Sequence, residues 1–450
     1  MAALEDNLAG VGAKRRRLAE PGQCISFMHN TPITVETTQE KRIEYEIAPN
    51  APINSGSPYE FDIEKEMDTF LDMGSLSLTA ELRIVKADGS NCADTDIVAP
   101  INLFASSLWE RVEVKLNKVT SNMSSSDYFH YKTFLETILS YEGDARETHL
   151  RTQLFMLDTP GEYDNFTAVA TNNVEPNAGF LYRYKYTKNS RKFDVVCPLS
   201  TDILRGSKFL VPGVSLTIRL TKAPDRWLLL TSSNEQFKVK VDDLKLEYGR
   251  IKLYNPDFRI SEIQHYPFAK TEMRKYPVPA GASSYTINIG NELDRVPKQI
   301  YFFMVKATTS EGDYKANPFN FRHFNICRHR LKVKGECVPN DGITFNFEND
   351  PPLINKPLTR LYKHVGVYRT DRGCCISHAG YAKGQFVIAY DLSPDLCNGH
   401  HLHTGRFGSL VSEFHFAQGL PDAIHVYAHM VYDCEYVKAW SDLYFNLEYV

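Results

Sequence analysis

Apolar residues at every second position, recurring in stretch after stretch, constrain this 450-residue chain more than any other feature of its sequence. Leu76, Leu78, Ala80, Leu82 and Ile84 alternate with Ser75, Ser77, Thr79, Glu81 and Arg83. Successive side chains of an extended backbone point to opposite faces, so this spacing makes one face of a strand apolar and the other polar. The same pattern covers Val112, Val114 and Leu116, then Val214, Leu216, Ile218 and Leu220, and then Phe237, Val239 and Val241. Leu244, Leu246 and Tyr248 carry it on to Ile251 and Leu253. It restarts at Tyr285, Ile287 and Ile289, runs through Ile300 to Val305, returns in Phe386 to Tyr390, and is clearest at Ile424, Val426, Ala428, Met430 and Tyr432. Strands in both halves, and an all-β fold, are the expectation.

One segment breaks the period. Tyr131, Phe134, Leu135, Ile138 and Leu139 follow helical spacing, with Ser126 or Asp127 available as N-cap and Gly143 just past the end, which predicts a short amphipathic helix between strands. The alternating Tyr182, Tyr184 and Tyr186 read as an ordinary strand, in preference to the aromatic platform of a carbohydrate- or receptor-binding β-sandwich. Between Asn255 and Ala282 the prolines 256, 267, 277 and 279 accompany a loss of periodicity, which suits a connection between domains. The expected division is a flexible basic arm over residues 1–25, a first domain over 26–258 and a second over 259–450.

Two landmarks recur in the same order in both halves. Asn102-Leu103-Phe104 leads into Trp109 and the strand Arg111 to Leu116, and Asn317-Pro318-Phe319 leads into Phe324 and Arg330 to Val333, an offset of 317 − 102 = 215. Leu199-Ser200-Thr201-Asp202 is answered by Leu392-Ser393-Pro394-Asp395 at an offset of 392 − 199 = 193. Agreement in order, context and approximate offset implies a tandem duplication. Two domains of roughly 200 residues, each with about eight strands and a helical insertion, fit two tandem eight-stranded jelly rolls with short helical insertions.

Specific phrases point the same way. NLFASSLWERVEVKLN (Asn102 to Asn117), YKTFLETILSYEGDARETHL (Tyr131 to Leu150), LFMLDTPGEYD (Leu154 to Asp164), NPFNFRHFNI (Asn317 to Ile326) and the blocks Tyr390 to Asp395 and Gly408 to Ala417 resemble the double jelly-roll major capsid proteins of the Maverick/Polinton and adintovirus type. The resemblance covers roughly residues 55 to 450. It implies a hexon-like homotrimer forming a pseudo-hexagonal capsomer, a capsid lattice around a DNA genome, penton or minor capsid partners, and residence in the virion after assembly in the host cytoplasm and nucleus. A minor capsid protein of the penton type is the nearer alternative, and two jelly rolls instead of one argue against it.

The formal net charge of −4 and pI of about 6.4 leave no overall positive field for binding nucleic acid, so any DNA contact is local. Lys14, Arg15, Arg16 and Arg17 form the single basic run. It has three readings: a nuclear import signal, an arm touching packaged DNA, or a solvated tail. Nine dispersed cysteines favour reduced thiols. Residues 1–17 lack the apolar core of a secretory signal, and no run approaches the length of a membrane span, so Asn122 and Asn165 read as chance glycosylation sequences. There is no Gly-x-Ser-x-Gly, His-Glu-x-x-His, phosphate-loop or Gly-x-Gly-x-x-Gly motif, and neither a catalytic residue nor a cofactor is expected. An enzyme on a paired jelly-roll scaffold is the weakest competing class. His400, His401 and His403 read as polar turn material in preference to a metal site. Adjacent Cys374 and Cys375 lack Cys-x-x-Cys geometry and read as buried thiols.

Overall fold

The computed structural model describes residues 40–53, 56–118, 123–168, 176–206, 208–253, 263–393, 406–439 and 446–449. The basic run Lys14 to Arg17, the trio His400, His401 and His403, and the domain boundary near residue 258 lie outside them.

Among the described residues, ten strands precede residue 254: β1 (Glu40–Ile47), β2 (Tyr59–Ile63), β3 (Phe70–Lys86), β4 (Val98–Pro100), β5 (Trp109–Leu116), β6 (Met123–Asp127), β7 (Phe193–Pro198), β8 (Leu216–Lys222), β9 (Leu229–Thr231) and β10 (Phe237–Leu253). Nine follow residue 262: β11 (Ile263–Val278), β12 (Ser284–Gly290), β13 (Gln299–Lys306), β14 (Ile326–Val333), β15 (Glu336–Thr344), β16 (Ile388–Asp391), β17 (Leu410–Phe416), β18 (Ile424–Ala439) and β19 (Asn446–Tyr449).

The main sheets run β1-β10-β3-β7 and β2-β8-β5-β6 in the first half, and β11-β18-β13-β16 and β12-β17-β14-β15 in the second. With the short β4–β9 ladder and the appended β19 set aside, and strands counted one to eight along each half, both halves give the orders 1-8-3-6 and 2-7-4-5. All of these pairs are antiparallel, and this double Greek-key order is that of a jelly roll. The expected fold, two tandem eight-stranded jelly rolls with helical insertions, is the observed one. The offset between fourth strands, from Trp109 to Ile326, is 326 − 109 = 217, and between sixth strands, from Phe193 to Ile388, it is 388 − 193 = 195. These values reproduce the spacing of the sequence landmarks.

Alternation has the anticipated cause. Along β3, Leu76, Leu78, Ala80, Leu82 and Ile84 are buried while Ser75, Ser77, Thr79, Glu81 and Arg83 are partly exposed. β13 departs from it, since Gln299 to Val305 are all buried. Phe302 faces the core of its own sandwich, 5.8 Å from Phe414 between ring centroids. Phe303 faces the first half of the chain, 5.4 Å from Tyr131. A strand covered on both faces reads as a continuous apolar run.

Three longer helices interrupt the strands: α1 (Phe129–Ser140), α2 (Ala178–Thr187) and α3 (Asn355–Val365). α1 is the helix predicted from spacing, but its ends differ from expectation. Ser126 and Asp127 remain in the β6 ladder opposite Val112 and Arg111, so the N-cap is Tyr128, at φ 54 and without a side-chain cap bond. The C-cap is Tyr141, and Gly143 instead caps the next short helix, Asp144–Glu147. The tyrosines 182, 184 and 186 form no strand. They lie in α2, where the Asn177 side chain accepts a hydrogen bond from the Gly179 amide and Tyr182 stacks on Tyr186 at 6.5 Å. Capping and i,i+4 contact outweigh the β propensity of tyrosine here, and these three tyrosines form no alternating platform.

Candidate functional site: the buried junction between the sandwiches

The connection from β6 to β7 carries α1 between the two sandwiches. The expected amphipathic helix is buried from Phe129 to Leu139, on its polar face as well as its apolar one. Phe134 stacks on Phe319 of the second half, with centroids 3.8 Å apart and planes 10° apart. Tyr131 meets Tyr427 at 4.7 Å, Phe303 at 5.4 Å and Trp227 at 5.4 Å. Aromatic pairs of this kind contribute about 0.5–1.5 kcal/mol each beyond the area they bury.

The polar face of α1 is buried because partners meet it there. Lys132 Nζ donates to Asp202 Oδ1 at 3.3 Å, and the two side chains are 2% and 3% exposed. Arg205 donates to the Glu136 carboxylate, and His429 Nε2 lies 3.6 Å from it. Burial raises the Glu136 carboxyl, but Arg205, Lys132 and His429 outweigh that and hold it below its ordinary value. Burial pushes His429 down to about 4, against the pull of Glu136. From the second sandwich, Thr271 donates to Asp202 Oδ1 through both its hydroxyl, at 2.9 Å, and its backbone N–H, at 3.3 Å.

A second seam runs along Leu154 to Asp164. Asn102 Oδ1 accepts from the amides of Leu103 (2.8 Å) and Met156 (3.0 Å), while its Nδ2 donates to the Met156 carbonyl (2.7 Å). Asn317 repeats the device in the second half: its Oδ1 accepts from the Phe319 amide at 3.0 Å and its Nδ2 donates to Asp158 at 3.2 Å. Its backbone N–H donates to Asp164 at 2.7 Å. Each landmark asparagine thus caps its own turn and grips the same strip of chain. Asp158 also pairs with Arg183 Nη2 at 2.9 Å, both side chains being 0% exposed.

No protein-family model matches the chain. An uncharacterized protein of Caenorhabditis elegans is 21% identical over 357 residues, which is 75% of this chain and 80% of that protein. Among solved structures, a chain of the Sputnik virophage superimposes with a TM-score of 0.61 at 13% identity, covering 94% of this chain and 91% of its own. The mavirus major capsid protein gives 0.52 at 13% identity, with 94% and 92% covered. A chain of the PBCV-1 virus capsid gives 0.52 at 11% identity, with 94% and 99% covered. The chain is a double jelly roll.

In this double jelly roll the junction makes one body of two sandwiches, and most of its residues were not singled out by sequence reasoning. Asn102, Asn317 and Asp202 were recognised as landmarks of the repeat, but the contacts they make were not; Lys132, Glu136 and Asp158 lie inside recognised phrases without being distinguished there, and Arg183 carried no local signal. The Leu154 to Asp164 phrase was the nearest indication. Cys375 belongs to the junction too: its amide donates to the Ile138 carbonyl at 2.9 Å and its thiol to the Tyr141 carbonyl at 3.1 Å. Burial pushes that thiol up to about 12 and the partly buried Cys374 thiol up to about 11. Seven described cysteines are free thiols. Among the described residues, no group of three or more His, Cys, Asp and Glu could hold a metal, and no helix is long and apolar enough to cross a membrane.

Proposed function

We propose that this chain is a major capsid protein of the Maverick/Polinton and adintovirus type, acting by assembly and performing no chemistry on a substrate. Three copies form a pseudo-hexameric homotrimer, and trimers tile an icosahedral shell around a DNA genome. The observation that carries this reading is the exact repetition of sheet order in two sandwiches locked by one buried junction. Three such chains present six similar sandwiches, which lets a single gene product occupy a position with six neighbours. Superposition over 94% of the chain on the mavirus major capsid protein supports it. We assign the two rolls to residues 26–258 and 259–450 behind a basic arm over 1–25, a division supported by the fact that, among the described residues, no sheet draws strands from both sides of residues 254–262. Penton or minor capsid proteins complete the shell.

Light scattering on the full chain is expected to report three times the 51.3 kDa chain mass, since obligate interfaces of this kind bury more than about 2,000 Å². A stable monomer would overturn the capsid reading; a trimer leads directly to particles by electron microscopy. The run Lys14, Arg15, Arg16 and Arg17 is assigned to nuclear import before assembly, with packaged DNA as its other partner inside the shell. Changing all four to Ala should abolish nuclear accumulation of a fluorescent fusion. Unchanged import would reject the assignment.

A further inference from the structure

Lys132 is the anomaly of the junction. Its ammonium carries three donors, its side chain is 2% exposed, and the described residues offer it one hydrogen-bond acceptor, Asp202 Oδ1, at the long distance of 3.3 Å. A buried ammonium is ordinarily held by several short bonds, because desolvation is otherwise uncompensated. Asp202 is as deeply buried as its partner, and the same Oδ1 receives both the hydroxyl and the backbone N–H of Thr271. Two donors converging on one carboxyl oxygen form the arrangement that stabilises an oxyanion when a carbonyl carbon is attacked. Glu136 lies one helical turn beyond Lys132 on the same face of α1. Arg205 and its neighbours keep that carboxyl ionised.

We propose that Lys132 and Asp202 condense autocatalytically into an intramolecular isopeptide bond, with Glu136 carrying protons and Thr271 supplying the oxyanion donors. Glu136 takes one proton from the Lys132 ammonium and passes it to Asp202 Oδ2, leaving a neutral amine beside a neutral carboxyl. The amine lone pair attacks Cγ, the new N–C bond forms, and the carbonyl electron pair moves onto Oδ1 beneath the two Thr271 donors. Glu136 then moves a second proton from the nitrogen to Oδ2. The C–Oδ2 bond breaks, water leaves, and the carbonyl re-forms. Of the three ammonium protons, two depart in the water and one remains on the amide nitrogen, so an ammonium and a carboxylate give an amide and water with no oxidant or co-reactant.

The product removes two buried charges and staples α1 to the connection between β7 and β8. Thr271 belongs to β11 of the second sandwich, so the oxyanion donors arrive only when the two rolls have docked. The bond would thus record a completed junction, a property suited to a shell protein but independent of that role.

Intact-mass spectrometry of the folded full-length chain, measured after denaturation, tests this. The expected mass is one water below that of the sequence, with protease fragments containing Lys132 and Asp202 recovered joined. Lys132→Arg and Glu136→Gln should abolish the joined fragments, and Asp202→Asn should still join them, with loss of ammonia in place of water. A folded wild-type chain with its full sequence mass overturns the proposal, as does a water loss mapped to any other position. Since the wild-type measurement decides by itself, a variant that fails to fold does not leave the question open.

Discussion

Acidification from pH 6.5 towards 4 is expected to unfold this protein cooperatively, before most of its carboxylates protonate. Burial pushes His130 and His329 down to about 3 and His323, His364 and His429 to about 4. In the unfolded chain a histidine titrates near 6.5. Between the two values the unfolded state binds protons that the folded state refuses. The stability is therefore complete above about pH 6.5, falls as the pH drops through this window, and stops falling below the folded values. At pH 5 one such group costs about 2 kcal/mol, and five together cost on the order of 10 kcal/mol, which matches the whole stability of a typical domain.

Trp227 reports the transition directly, because its ring lies 4.0 Å from that of His130. Fluorescence and circular dichroism should give a midpoint between about pH 4 and 6. His130→Phe keeps the aromatic packing and removes one titrating group whose Nδ1 has no partner, so it should move the midpoint to lower pH. A native signal persisting at about pH 3.5 would show that these imidazoles are not held neutral by burial.

The second large effect is at the Leu154 to Asp164 seam. Asp158→Ala leaves the Arg183 guanidinium, 0% exposed, with no carboxylate at 2.9 Å; its remaining bonds are to the Pro100 and Met156 carbonyls. Breaking a buried ion pair from one side costs about 3–5 kcal/mol. The substitution also removes one of the two acceptors of Asn317 Nδ2 from the second sandwich, leaving the Tyr163 carbonyl at 3.3 Å, so the loss should appear at the junction and separate the unfolding of the two rolls. Urea denaturation is expected to show a lower first midpoint and a second transition. Replacing both partners with apolar residues, as in Asp158→Leu with Arg183→Met, should recover part of the stability, because no uncompensated charge remains. A loss below about 1 kcal/mol for Asp158→Ala would mean that the pair is solvated and that the seam does not join the rolls.

The elements of this molecule differ in how far local sequence reports on them. The β3 alternation from Leu76 to Ile84 is visible because strand burial has a period of two residues and needs no distant information. α1 was visible for a similar reason, through the spacing of Tyr131, Phe134, Leu135, Ile138 and Leu139. Its polar side was misjudged: Lys132 and Glu136 look like the solvated face of an amphipathic helix until Asp202, 70 residues away, and Arg205, 69 residues away, are in place. α2 was missed because the alternation of Tyr182, Tyr184 and Tyr186 has strand period, while the contacts deciding the matter, Arg183 to Asp158 and to the Pro100 carbonyl, come from 25 and 83 residues away.

By itself the sequence determined the class of fold, the number of sandwiches and the tandem relation between them, since alternation, breaks in period and repeated phrases are properties of neighbouring residues. Only the tertiary structure decided which charges are buried, which asparagines share a strip, and that α1 is covered on every side. Those outcomes depend on partners brought together by chain folding, and an isolated Lys, Arg or Asp carries no local mark distinguishing a paired interior group from a solvated one.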